Sequence, residues 1–136
     1  MNEEIGKGVK IVLADDEESM RSLLDNMLRK LSCEVADTAK DGRSALAAFQ
    51  KYRPDILLLD ISMPGEMSGL DVLKAVRAES PESHVVIVSG ETKADLVRQI
   101  ISAGANGFIV KPFSFERLIK MLEEYRKKRL SSKANS

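Results

Sequence analysis

The sequence has no tryptophan, one cysteine and one histidine, and its basic and acidic residues balance at 21 each. Each shortage removes a class of function. With Cys33 alone, no intramolecular disulfide can form, which fits a reducing compartment. With His84 as the only imidazole, multi-histidine metal centres are excluded and a Cys/His zinc site lacks ligands. A net charge of zero leaves no global field to draw in nucleic acid, which is therefore a disfavoured partner. No apolar stretch approaches the ~20 residues needed to span a bilayer. Met1-Asn2-Glu3-Glu4 is acidic and has no apolar core of the signal-peptide kind. The expectation is a cytoplasmic protein without a membrane role. Cys33 reads as a small residue at a helix–strand junction, and His84 as a strand-edge residue rather than a catalyst.

Against those shortages stands a regular alternation of apolar runs and amphipathic segments. The 136 residues favour one domain, large enough to bury roughly two-thirds of its unfolded surface without staples. The 43% hydrophobic and 31% charged content is that of an ordinary water-soluble chain. Strands are predicted over 9–14, 34–39, 55–60, 84–89 and 107–110, with 34–39 the most polar and nearest an edge. Helices are predicted over 17–31, 43–52, 70–79, 92–103 and 114–129. Thr92 and Ser114 are the expected N-caps of the last two, and Gly104 the stop signal of the fourth. Met20, Leu23, Leu24, Met27, Leu28 and Leu31 repeat at helical spacing in the first, and Leu118, Ile119, Leu122 and Tyr125 in the last. Met63 to Gly69 reads as a loop. Strict β-α alternation argues for a parallel sheet covered on both faces, with right-handed crossovers. The polar tail 131–136 is expected to be disordered.

The apolar runs end in residues that phosphate chemistry uses. Ala14 is followed by Asp15-Asp16, Leu59 by Asp60, Val88 by Ser89, and Val110 by Lys111-Pro112. In a parallel sheet these ends share one edge, where open α/β sheets bind ligands. Acids replace the Gly-rich turn of a nucleotide site, so a bare phosphate would be repelled and a divalent cation such as Mg²⁺ is called for. N-capping is the alternative for Asp15-Asp16-Glu17, but one acid suffices for a cap. Crowding carboxylates costs about 4 kcal/mol for a pair about 4 Å apart at an effective dielectric of about 20, which folding alone does not favour. Asp60, at the end of a dry strand, can serve as a nucleophile toward phosphorus or as a turn residue. Lys111 can grip phosphoryl oxygens or be a surface lysine, and the bond to Pro112 can be cis. Ser89 can donate to a phosphoryl oxygen or cap a turn before Gly90. Phe108 reads as a core aromatic. Arg126-Lys127-Lys128-Arg129 reads as a solvated helix end favoured by the macrodipole, with acidic-partner or nucleic-acid binding the alternative.

As a set, Leu13-Ala14-Asp15-Asp16, Leu59-Asp60-Ile61-Ser62-Met63-Pro64, Val88-Ser89-Gly90 and Val110-Lys111-Pro112-Phe113 resemble the receiver domain of two-component response regulators. The chain is similar to a stand-alone receiver of the chemotaxis-regulator type, over residues 8–130. The resemblance implies a flavodoxin-like (βα)5 doubly wound parallel sheet in the order 2-1-3-4-5, of which the family is a standard example. It implies that Asp60 is the phosphoacceptor and that Asp16 and Asp60 ligate Mg²⁺. Asp15 then acts mainly through a bound water, and the main-chain carbonyl of Ser62 is a further ligand. Ser89 and Lys111 hold the phosphoryl oxygens, and Phe108 takes the place of the aromatic that turns inward when the hydroxyl moves.

Such a domain catalyses only its own phosphorylation and dephosphorylation. The implied donors are a sensor histidine kinase, a histidine phosphotransfer protein or a small phosphodonor. The implied output is a downstream protein docking on the 92–129 face, or a phosphorylation-dependent homodimer. Three departures stand out. Four residues lie between Pro64 and Gly69 where the family commonly has three, Ser89-Gly90 replaces Thr-Ala, and Phe108 replaces tyrosine. Ser62 and Glu91 occupy positions that tune phosphate lifetime in the family. An aspartate-nucleophile phosphatase is the rival reading, and Ser62 argues against it, because that class carries a second acid at that position. The regulatory domain of a longer regulator and a phosphorylation-independent scaffold are the others.

Overall fold

The computed structural model describes residues 3–134. The strands are β1 (Lys10–Ala14), β2 (Glu34–Ala39), β3 (Ile56–Asp60), β4 (His84–Ser89) and β5 (Gly107–Val110). The helices are α1 (Glu18–Lys30), α2 (Gly42–Tyr52), α3 (Gly69–Glu79), α4 (Ala94–Ser102) and α5 (Phe115–Ala134). All pairings are parallel and the sheet order is β2-β1-β3-β4-β5. This is the predicted flavodoxin-like (βα)5 topology.

The side-chain period of two divides the core cleanly. Ile11, Leu13, Ile56, Leu58, Val86 and Val88 pack on one face with Leu24 and Leu28 of α1 and Leu118 and Leu122 of α5. Val12, Leu57, Leu59, Val85 and Ile87 pack on the other with Phe49 of α2, Leu73 of α3 and Ile100 of α4. Residues of β3 and β4 are buried throughout, which is why these strands read as continuous apolar runs. Polar β2 is an edge strand, as expected.

The helix ends show where local signals won and lost. Asp41 and Ser44 form a capping box on α2, and Ser68 and Asp71 form one on α3. Ser114 Oγ accepts from the Arg117 N–H at 3.3 Å at the start of α5. Thr92 does not cap α4. That helix begins at Ala94 after Lys93, with no side-chain cap, because the residues following β4 are spent on a turn in which Ser89 Oγ bonds the Glu91 backbone. Gly104 closes α4 with φ +94°, a left-handed value that glycine adopts without strain. In α1, Leu23 is 48% exposed, since the apolar stripe is wider than the face the sheet covers. The tail also departs from expectation. Residues 131–134 continue α5 rather than leaving the fold, since Ser131-Ser132-Lys133-Ala134 holds no Gly or Pro to stop a helix already propagating. Residues 135–136 lie outside the described residues.

Two tight spots tie the fold together. Gly69 lies so close to the end of β3 that an added Cβ would press on the Asp60 carbonyl oxygen and come within 2.7 Å of Ile61 Cα. His84 opens β4 almost fully buried, in edge-on contact with Tyr125 at 5.3 Å between ring centroids. Its Nδ1 has no hydrogen-bond partner. Burial, then the charges of Lys128 and Arg77, push its pKa down to about 4.

Gly69→Ala should therefore destabilise the chain by about 2 kcal/mol, because backbone on both sides resists overpacking; an unchanged denaturation midpoint would refute this contact. For His84 the unfolded chain binds the proton at higher pH than the folded one. Stability is lost as pH falls from about 6.5 to about 4, by about 3 kcal/mol in all. His84→Phe removes this loss, so its stability relative to the native chain should rise over that interval. Urea titrations at a series of pH values read it, and a difference independent of pH would sink the assignment.

Candidate functional site

At the carboxyl edge of the sheet, Asp15 follows β1, Asp60 ends β3, Ser89 ends β4 and Lys111 follows β5. Strand order puts β1 and β3 side by side, so Asp15 and Asp60 meet without help from any loop. Both are buried, at 1% and 4% exposure, whereas Asp16 is exposed. One carboxylate oxygen from each of Asp15, Asp16 and Asp60 lies within 4.8 Å of the others. The hard oxygen donors and the concentration of negative charge suit a small divalent cation.

The Lys111 ammonium donates to Asp15 Oδ2 at 3.0 Å and to Asp60 Oδ2 at 3.2 Å. The Lys111–Pro112 peptide bond is cis. Asp60 Oδ1 accepts from the Ser62 backbone N–H at 3.1 Å. Burial raises the Asp60 pKa above the ordinary carboxylate value and the Asp15 charge adds to the rise, while the Ser62 N–H and Lys111 only partly oppose it. Lys111 shows the converse. Burial works against its charge, yet the hydrogen bond to Asp15 and the Asp60 carboxylate outweigh burial and raise its pKa.

The acids are not there to cap α1. Its N-cap is Glu17, whose side chain makes no capping bond. Asp15 Oδ1 instead accepts from the Glu17 N–H at 2.9 Å, which fixes the turn that carries Asp16 outward. Ser89 is near the group but not joined to it. Its hydroxyl donates to the Glu91 carbonyl at 3.2 Å and accepts from the Glu91 N–H at 3.0 Å. Phe108 is half-buried against the core, and its carbonyl accepts from Arg117 at 2.7 Å. The basic run 126–129 lies inside α5, which continues to Ala134 rather than ending there, and it is remote from the acids and partly structural. Arg126 donates to the carbonyls of Ile5 and Lys7, and Arg129 to the Tyr125 hydroxyl.

Arg21 was not among the residues singled out from the sequence. Its guanidinium donates to the Asp15 main-chain carbonyl at 2.8 Å, bracing the backbone beneath the acids. The available signal was a cation in the opening turns of a helix, where the macrodipole disfavours it.

Comparison with known proteins agrees with this geometry. The sequence profile of the response regulator receiver domain matches residues 11–123. The chemotaxis protein CheY of Thermotoga maritima is 35% identical over 120 residues, covering 88% of this chain and 99% of that protein. The structure of Vibrio cholerae CheY4 superimposes with a TM-score of 0.79 at 36% identity, covering 86% of this chain and 98% of that one. A Borrelia burgdorferi structure, the CheX–CheY–BeF3–Mg²⁺ complex, matches with a TM-score of 0.80 at 27% identity, covering 86% and 88%. Family profile, relatives, sheet order and the acidic edge agree: the chain belongs to the response regulator receiver domain family, the phosphoacceptor modules of two-component signalling.

Proposed function

We propose that this chain is a phosphorylation-controlled switch in which Asp60 accepts the phosphoryl group and Asp15, Asp16, Asp60 and the Ser62 carbonyl hold Mg²⁺. The observation that carries this reading is the Lys111 ammonium set between two buried carboxylates, with a third close by. Bound Mg²⁺ supplies charge neutralisation between the acids and an incoming phosphate. An Asp60 carboxylate oxygen forms the new O–P bond as the P–N bond of a partner's phosphohistidine breaks, or the O–P bond of a small acyl phosphate. The electron pair leaves on the imidazole or carboxylate. No general base is required, because the attacking carboxylate carries its own charge. Lys111 keeps its charge in this setting and is within reach of the product oxygens.

Ser89 gives the switch its second state. Its hydroxyl leaves the Glu91 backbone for a phosphoryl oxygen, and Phe108 on neighbouring β5 moves with it. The output face is α4, β5 and α5, where Ile101, Val110 and Phe115 are exposed. The phosphodonor is a histidine kinase or phosphotransfer protein of the cytoplasm, and the receiver of the signal is a protein docking on that face. The Borrelia relative's complex with CheX, BeF3 and Mg²⁺ supports this reading, since fluoroberyllate has the charge and shape of a phosphoryl group. No helix among the described residues is long and apolar enough to cross a membrane.

Incubation with labelled acetyl phosphate and Mg²⁺ should mark the native chain. Asp60→Asn should reduce the label to background, as should removal of Mg²⁺ with EDTA. Undiminished labelling in either case would overturn the assignment it tests. Ser89→Ala should still accept the label, because Asp60 and Lys111 are intact. In that variant, however, fluoroberyllate should no longer shift the amide resonances of Ile101 and Phe108; an unaltered response would remove Ser89 from the switch.

A further inference from the structure

At the opposite edge of the sheet, where β3 and β4 begin, lies a cavity of about 380 Å³. That volume is within the range of small-molecule sites, roughly 300–1,000 Å³. Its apolar lining is Phe49, Pro54 and Tyr125, all buried. His84 lines it too, only 7% exposed, with Nδ1 unpartnered.

The charges around this cavity do not balance. Arg53 pairs with Glu79 at 3.2 Å, and Arg129 lies 3.9 Å from Asp55. The two lining acids are engaged as well. Asp55 accepts from the Lys10 N–H at 2.7 Å, and Glu82 from the Ser80 hydroxyl at 2.8 Å. Lys128 has no acidic partner among the described residues. Nearby Arg77 hydrogen-bonds neutral oxygens of Pro81, Ser83, Gly104 and Asn106, and its charge is met by the lining carboxylate of Glu82. One net positive charge is left, and Lys128, beside the buried imidazole, is the cation without an acidic partner. Burial first, and then Lys128 and Arg77, pull the His84 pKa down; burial first, and then Arg77, lower that of Lys128.

We propose that this cavity binds a small organic anion, its flat apolar body against Tyr125, Phe49 and Pro54 and its anionic oxygens toward Lys128. A carboxylate and a phosphate ester share this chemistry, and the site is independent of the Asp60 edge.

Two-dimensional NMR of the full chain tests it, with benzoate, phenyl phosphate and the neutral benzyl alcohol as probes. Benzoate or phenyl phosphate should give saturable shifts at Ser83, His84 and Tyr125, and whichever binds more tightly names the oxygen group. Benzyl alcohol should bind about tenfold more weakly, the equivalent of one charge-assisted hydrogen bond. Lys128→Glu, an exposed change, should weaken the anion at least as much. Lys127→Glu, on the same helix outside the cavity, should leave binding intact. Equal binding of the alcohol, equal loss in both variants or the absence of saturable shifts would each overturn the proposal.

Discussion

The ammonium of Lys111 is shared by two carboxylates that would otherwise face each other unscreened. Asp15 and Asp60 are almost wholly buried, and each gives its Oδ2 to the same Nζ. Three acids against one lysine leave two negative charges at this edge. The ammonium therefore lets the acids coexist without cancelling them. The remaining deficit is visible in Asp60, whose pKa stays above the ordinary value even with Lys111 and the Ser62 N–H in place. For a carboxyl with a raised folded-state pKa, ionisation opposes folding as pH rises through that range. The site is held at some expense to stability, which an added cation would relieve.

Topology supplies the convergence, and side-chain length completes it. Asp15 and Asp60 belong to adjacent strands, while β5 stands beyond β4. A group after β5 can reach the acids only across the end of β4, where Ser89 sits. A lysine's flexible four-carbon stem covers that distance, and its point charge needs no planar fit to two carboxylates. The Lys111 N–H also donates to the Ser89 carbonyl at 2.8 Å, which anchors the lysine's backbone to β4. Lys111, Ser89 and Asp60 are thus positioned by one sheet edge.

Most of this was legible because periodicity reports burial. Ile56 to Leu59 and Val85 to Val88 are buried on both faces, so their unbroken apolar character identified central strands, and the polar residues that end them identified the edge. What stayed hidden depends on spacing that sequence does not carry. Leu23 fits the helical stripe but lies beyond the sheet's footprint. Thr92 is a good cap residue, displaced because the Ser89–Glu91 turn consumes the chain before α4. Arg21 acts on a backbone carbonyl six residues away, a contact with no side-chain signature. The Ser89 hydroxyl was read from its position as a phosphate ligand or a capping group, and it forms the turn with Glu91.

That arrangement of Ser89 bears on how the switch is balanced. Its hydroxyl makes two bonds to Glu91, one as donor and one as acceptor, each worth about 1 kcal/mol net. A hydrogen bond to a charged oxygen is worth about 1.5–3 kcal/mol, close to the sum it replaces. In the proposed switch the two positions of the hydroxyl would therefore be near in energy, and a phosphoryl charge on Asp60 would decide between them. Gly90 fits this balance, because an added Cβ there would meet nothing within 4 Å. Crowding does not impose a glycine at 90. The Lys111 N–H bond to the Ser89 carbonyl ties the end of β4 to β5 independently of the Ser89 side chain. In the proposed switch, a small charge-driven rotation at one serine would then reach α4 through the turn it releases.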